Sequence, residues 1–372
     1  VATSIFLDHA AGSPLKPEVA RAMRDSLEGL PPNPSGAHRL ARATKAVLED
    51  ARDRVAAQLG VASRCVIFTG GGTESCNLAL RARPEATALS ISAIEHAAVR
   101  SAAQARMPVS FLGVTSHGTL DVEAATENIA PNSLVSVMAA NNETGARQPL
   151  AELVAALDAR RGDVTLHVDA IAAAPCDDLA PLCAQADLVS LAAHKLGGSP
   201  GTGVLIVGEG VSLTPSSFGG GQERGFRVGT QDVAGAMSMA VALELAAQDR
   251  ASGALARMGH RRDQLLSSLE GRSRVQVTAR DADRLESHLH LLVEGARSEE
   301  LLFLLDEEGV CAAAGAACAS GAPQASTVLL AMGMTEEAAR GALRLSLSTG
   351  TTDQECVAAA EALGRVLDRL AS

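Results

Sequence analysis

The stretch Asp187-Leu-Val-Ser-Leu-Ala-Ala-His194-Lys195-Leu-Gly197-Gly198-Ser-Pro-Gly201-Thr-Gly203 is a short apolar run that stops at a His-Lys pair and then turns glycine-rich. A run of this length bounded by glycines reads as a buried strand, and this one delivers a lysine to its end. The chain has 32 basic residues, yet only Lys16, Lys45 and Lys195 are lysines. The first two stand in helix-like, polar surroundings. Lys195 follows a hydrophobic strand, where partial desolvation lowers an amine's pKa toward its nucleophilic form. That is the setting a Schiff-base lysine requires. A lysine that only caps a strand end is the plainer reading, and the partners of Lys195 decide between the two.

Around this strand, apolar runs at Val66–Thr69, Ala88–Ile91, Val109–Leu112, Leu134–Ala139, Thr165–Val168, Leu188–Leu191 and Val204–Val207 alternate with helical patterns. The alternation predicts an α/β fold, a mostly parallel seven-stranded sheet with helices on both faces. Before it come a short strand over residues 4–8, a helix opened by Pro17, and a half-exposed helix from about Ala37 to Leu59 that Gly60 stops. After two helical patterns near 232–249 and 254–270, strands at Arg274–Thr278, His288–Val293 and Ala342–Leu347 mingle with helices at Ser298–Glu308, Ser326–Met332 and Asp353–Leu370. This is the pattern of a smaller α+β domain. The expected division is an N-terminal segment 1–15 packing with the small domain, a large domain 16–250 and a small C-terminal domain 251–372.

Composition narrows the function classes. With 372 residues, 47% of them apolar, and no uninterrupted apolar stretch of membrane-spanning length, the chain reads as soluble and globular. Its formal net charge of -11 argues against a nucleic-acid or anionic-membrane surface, which needs clustered basic residues. Small molecules or proteins are the expected partners. No charged-then-apolar signal pattern opens the sequence, from which we expect a cytoplasmic protein. Seven cysteines with no Cys-x-x-Cys pair fit neither a disulfide framework nor a zinc site, so no metal is expected.

Two further motifs give Lys195 its partners. In Phe68-Thr69-Gly70-Gly71-Gly72-Thr73-Glu74-Ser75 a strand turns through three glycines into a helix, presenting backbone N–H groups and the Thr73 hydroxyl to an anion. It has neither Walker nor Rossmann spacing. In Thr165-Leu-His167-Val-Asp169-Ala170 an apolar strand ends in an acid, with room for one crossover before Lys195. A phosphate turn, a strand-end carboxylate and a strand-end amine together describe pyridoxal 5'-phosphate, whose phosphate, ring nitrogen and aldehyde they match.

These residues resemble the cysteine desulfurases among fold-type I pyridoxal-phosphate enzymes (aminotransferase class V), particularly the NifS-like class that supplies sulfur for iron–sulfur clusters. The landmarks run through nearly the whole chain: Gly71-Gly72-Thr73-Glu74-Ser75, Glu95-His96-Ala97-Ala98-Val99, Asn141-Asn142-Glu143-Thr144-Gly145, His167-Val168-Asp169-Ala170, Ala193-His194-Lys195, Gly219-Gly220-Gly221-Gln222-Glu223-Arg224-Gly225, Arg227-Val228-Gly229-Thr230, Gly315-Ala316-Ala317-Cys318-Ala319-Ser320 and Arg344-Leu345-Ser346-Leu347. The resemblance implies that Lys195 binds the cofactor aldehyde, Asp169 pairs with the pyridine nitrogen, His96 stacks on the ring and Asn142 contacts it. By the same resemblance Gly72, Thr73 and His194 hold the phosphate, Thr230 reaches the phosphate of the other subunit of a homodimer, and Arg344 clamps the carboxylate of L-cysteine. Cys318 is implied as the nucleophile that takes sulfur as a persulfide for an acceptor protein, on a loop of small residues. Cys311, in an apolar setting, reads as a buried strand residue.

The chain also departs from the family pattern. Ala172 stands where the family commonly has a cofactor-contacting Gln, and Ala192 where it has a phosphate-binding Ser. Lys195-Leu196-Gly197-Gly198-Ser199 and Ala11-Gly12-Ser13 replace the usual Lys-x-Tyr-Gly-Pro and Ala-Thr-Thr. Three readings follow: a cysteine desulfurase, a lyase releasing sulfide or selenide from a related amino acid, and a catalytically weak scaffold in sulfur transfer.

Overall fold

A computed structural model describes residues 4–160, 162–269, 272, 274–315 and 325–371. After a two-residue strand β1 (Ile5–Phe6), the seven apolar runs form β2 (Val66–Thr69), β3 (Ala88–Ser92), β4 (Val109–Leu112), β5 (Ser133–Met138), β6 (Val164–Asp169), β7 (Leu188–Ala192) and β8 (Gly203–Val207). They make one sheet in the order β2-β8-β7-β6-β5-β3-β4. β8 is antiparallel to both of its neighbours, and the other pairs are parallel. The expected mostly parallel seven-stranded α/β sheet is therefore the one found.

The strands read as continuous apolar runs because both faces of the sheet are covered. Ile67, Leu188 and Leu205 pack with the helices Gly72–Ala79 and Ala97–Arg106 in one cluster. Their neighbours Val66, Phe68, Val189, Leu191, Val204 and Ile206 join a second cluster with the helices Arg39–Leu59 and Val233–Ala251. Burying each large aliphatic side chain contributes roughly 1.5–3 kcal/mol. The helix Arg39–Leu59 stops as expected at Gly60, which takes a left-handed conformation with φ 64° and sends its N–H back to Ala56 and Ala57 carbonyls. Among the described residues no helix is long and apolar enough to cross a membrane.

β2 and β7 are both antiparallel to β8, so β2, β3, β5, β6 and β7 point the same way. Their C-terminal ends share one edge, the place where open α/β sheets bind ligands. The remaining strands are β9 (Val275–Val277), β10 (His288–Val293), β11 (Val310–Cys311) and β12 (Ala342–Ser346). β12, β10 and β9 form an antiparallel sheet in that order, while β1 pairs in parallel with β11. The chain after β1 then bridges from Asp8 to Ser346, beside β12.

A buried ion pair fastens the helix Arg39–Leu59 to β2 and to the turn Gln222–Gly225. Arg52 donates to both carboxylate oxygens of Glu223 at 2.8 Å and to the Val66 carbonyl at 2.8 Å, while Phe68 N–H donates to the same carboxylate at 2.9 Å. Burial works to raise the Glu223 pKa, but the hydrogen bond and charge of Arg52 outweigh it and the net shift is downward. Removing one partner of such a pair leaves an uncompensated buried charge. Arg52→Ala is expected to cost about 3–5 kcal/mol of stability in urea unfolding. The double variant Arg52→Met, Glu223→Gln should recover most of that loss.

Candidate active site

The candidate residues gather where β2, β3, β6 and β7 end. β2 runs into Gly70-Gly71-Gly72, with Gly71 at φ 134°, a backbone conformation open to glycine. A Cβ on Gly72 would lie 2.4 Å from Ile171 Cδ1, and one on Gly203 would lie 2.6 Å from the Gly71 carbonyl carbon. The turn is thus packed tightly from beneath. Thr73, in the first turn of the helix Gly72–Ala79, is exposed, and its hydroxyl makes no hydrogen bond among the described residues. First-turn N–H groups of a helix lack intrahelical partners, so an anion here meets unsatisfied donors.

Asp169 closes β6 and is 5% exposed. It accepts the Ile171 N–H at 3.0 Å on one oxygen and the Cys76 thiol at 3.6 Å on the other. Burial raises its pKa, against the Ile171 hydrogen bond and the His96 and Lys195 charges. His96 follows β3 and caps the helix Ala97–Arg106, its Nδ1 accepting the Ala98 N–H at 3.1 Å. Desolvation lowers its pKa despite the pull of Asp169. The capping bond leaves Nε2 as the ring's proton-bearing nitrogen.

Lys195 follows β7 in a single 3-10 turn, Ala193–Lys195. Its ammonium donates to the carbonyls of Ala10 and Ala11 at 2.6 and 3.0 Å. Burial first, then the charge of Arg344, bring its pKa down to about 8, against Asp8 and Asp169. Burial and the Lys195 charge bring His194 down to about 4, so its ring is neutral near pH 7. A cavity of about 70 Å³ adjoins Lys195, lined among others by His9, Ala10, Ala172, Cys176, Ser287 and His288. Ala172 contributes only a methyl group to this wall. Ala192 is fully buried in β7 and packs near Gly72.

Arg344 on β12 is 4% exposed and approaches from the smaller sheet. It donates to Asp8 at 2.7 Å and to the Asn142 carbonyl at 2.8 Å, and its Nε is buried without a partner. His290 lies opposite it on β10, with His288 two residues away on the same face. Both rings are buried, their Nδ1 atoms hydrogen-bond to Thr278 and Ser287, and their Nε2 atoms have no partner. Burial, and then the Arg344 charge, hold both near pKa 3.

Of the sequence candidates, His96, Asp169, Lys195 and Arg344 lie near enough to act on one another's charge, and the Asn142 carbonyl meets Arg344. Gly72 and Thr73 stand on the same sheet edge. Thr230 is exposed after the turn Gln222–Gly225, and its hydroxyl makes no hydrogen bond among the described residues. Cys318 lies outside the described residues. Cys311 is on a strand as expected, but only half-buried, because among the described residues β11 pairs only with the two residues of β1.

The aminotransferase class-V family model matches residues 5–358. The chain belongs to the aminotransferase class-V family. Within that family it is 35% identical over 376 residues to an IscS-like cysteine desulfurase of Mycobacterium tuberculosis, covering 96% of this chain and 95% of that protein. Among solved structures, a NifS-like protein superposes with a TM-score of 0.90 at 28% identity over 99% of both chains. The structure of SspA in complex with cysteine matches with a TM-score of 0.79 at 26% identity, over 94% of this chain and 100% of that one. The resemblance to cysteine desulfurases and the fold-type I architecture are thereby established.

Sequence reasoning gave no role to Asp8, Cys76, His288 or His290. The last two carried a signal, since they interrupt an otherwise apolar strand, His288-Leu-His290-Leu-Leu-Val293. Asp8 carried none, because its partner is 336 residues away. In cofactor-free protein, the pH dependence of acylation at Lys195 should show a midpoint near 8. Arg344→Gln, which removes a neighbouring positive charge, should raise that midpoint, and Asp8→Asn should lower it.

Proposed function

We propose that this chain is a pyridoxal 5'-phosphate-dependent cysteine desulfurase that converts L-cysteine to L-alanine and takes the sulfur on Cys318. The observation that carries the reading is the convergence of Lys195, Asp169 and Arg344 at one edge, an amine of lowered pKa, a buried carboxylate and a buried guanidinium. The residues present fit the cofactor. The glycine turn is closed beneath by Ile171 and Ala192 and offers Thr73 above, the donor set a phosphate needs. The Asp169 carboxylate lies near an amine that titrates near neutrality.

In this reading Gly72, Thr73 and His194 hold the phosphate, with Thr230 of a second subunit completing the site in a homodimer. Asp169 faces the ring nitrogen, His96 lies against the ring, and Lys195 binds the aldehyde. When bound, the cofactor supplies an electron-withdrawing ring that weakens bonds at the substrate's α- and β-carbons. Arg344 and Asn142 orient the cysteine carboxylate. Lys195, freed of the aldehyde, is an amine near its titration point and so able both to accept and to return a proton. His96 holds a proton at Nε2. The Cys318 thiolate attacks the substrate sulfur, so that an S–S bond forms as the C–S bond breaks and a proton goes to the former Cβ. The products are alanine and a Cys318 persulfide, which passes to an acceptor protein. Residues 16–250 form the cofactor domain and 251–372 the small domain bearing Cys318 and Arg344.

The test is mass analysis of the purified protein after incubation with cysteine. Wild type should gain one sulfur at Cys318 and release alanine. Cys318→Ser should keep the cofactor's visible spectrum and lose both products, since a hydroxyl is barely ionised where a thiol of pKa ~8.5 is partly thiolate. Alanine formation by Cys318→Ser at the wild-type rate would sink the assignment. Pyruvate and sulfide in place of alanine would favour a lyase.

A further inference from the structure

Glu95 is a buried carboxylate that the proposed chemistry does not use. It lies just beyond β3, is 3% exposed, and accepts the Met138 N–H at 2.6 Å on Oε1. Its Oε2 is buried with no hydrogen-bond partner, the only carboxylate oxygen in that condition among the described residues. Met138 ends β5 and stands in register with Asp169 of β6, so both acids are fastened to adjacent positions of one sheet edge.

The charged and titratable groups facing Glu95 are Asp169 from β6, Arg100 from the helix Ala97–Arg106 and Cys76 from the helix Gly72–Ala79. Arg100 makes no ion pair with Glu95. Its guanidinium donates to the Ala93 carbonyl and lies over the Phe111 ring, 4.9 Å from the centroid. Two ionised carboxylates side by side in a dry site repel each other, and each also loses its hydration. One of them is therefore held neutral. Asp169 has the better claim to the charge: it receives an N–H and a thiol, and the Lys195 charge favours it. Glu95 receives one N–H.

We propose that Glu95 is a positioning residue that holds a proton in the resting protein, so that Asp169 alone carries the negative charge of this pair. Burial and the Asp169 charge both push Glu95 well above the ordinary carboxylate range, in the same direction as the geometry. A neutral acid keeps the acceptor that Met138 needs at the end of β5. It adds no second charge beside the group that faces the ring nitrogen. The role at the cofactor rests on the reading of Asp169 given above, whereas the proton on Glu95 does not.

Glu95→Gln has the same shape and keeps an acceptor for Met138, so it should fold. Infrared spectra of the holoenzyme at pH 7 in H2O and D2O should show a deuterium-sensitive protonated-carboxyl band that disappears in Glu95→Gln. A wild-type spectrum without that band, or a band that survives the substitution, overturns the proposal. Unfolding gives a second reading. A carboxyl whose folded pKa is raised keeps its proton while the unfolded chain releases it above about pH 4.3, so rising pH favours the unfolded state. With excess cofactor, the wild-type unfolding constant in urea should rise relative to that of Glu95→Gln by up to about tenfold per pH unit above that point. Parallel curves overturn the proposal. The midpoint at which the cofactor's visible band titrates should move by less than about 0.3 unit in Glu95→Gln, while a fall of a unit or more means that Glu95 carried a charge. Protein that holds no pyridoxal phosphate defeats the cofactor reading, and the infrared and unfolding results still decide where the proton lies.

Discussion

Desolvation at the shared strand edge governs the chemistry of this molecule. Helices cover both faces of the seven-stranded sheet, so side chains at the ends of its central strands leave water on folding. Burial is the largest influence on the pKa of Lys195, Asp169, Glu95 and His96 alike, and it acts on each in the direction that disfavours charge. What then distinguishes these groups is the company each keeps. Lys195 faces Arg344 and falls to about 8, whereas Asp169 is partly rescued by a backbone N–H, the Cys76 thiol and the Lys195 charge.

The same double burial explains how much of the fold could be read from the chain. A strand covered on both sides needs apolar residues at every position, and Val66–Thr69 or Leu188–Ala192 therefore stand out as uninterrupted runs. The reversal of β8 is a different matter, because Gly203–Val207 has the same composition in either direction. Its signal lay in the connection. Residues 193–202 hold one short 3-10 turn and no crossover helix, and a parallel return requires a dozen residues or more.

The site divides along similar lines. Asp169 and Lys195 each terminate an apolar run, and the glycine turn interrupts one, so local pattern exposes all three. Glu95 was visible only as the neighbour of His96, since nothing local shows that its second oxygen is left without a partner. The pairing of Asp8 with Arg344 is a tertiary fact: it depends on β1 lying beside β11 and on Asp8 bridging to Ser346. Likewise, the alternation of His288 and His290 with leucines suggests a strand with one polar face, but the structure buries both rings against Arg344.

That burial bears on how an anion would be bound. A surface arginine must shed water when a carboxylate arrives, and the desolvation offsets much of the attraction. Arg344 is already dry, held by Asp8 and the Asn142 carbonyl, with its Nε unsatisfied. Its desolvation cost is therefore incurred on folding, and Asp8 balances the charge in the meantime. In the proposed reading a substrate carboxylate would meet a guanidinium fixed in orientation, flanked by two neutral imidazoles that add no competing charge. Binding a ligand in a pre-ordered, pre-desolvated site preserves more of the interaction as affinity. The two buried histidines thus lie beside Arg344 without adding charge, while Asp8 supplies its counter-charge.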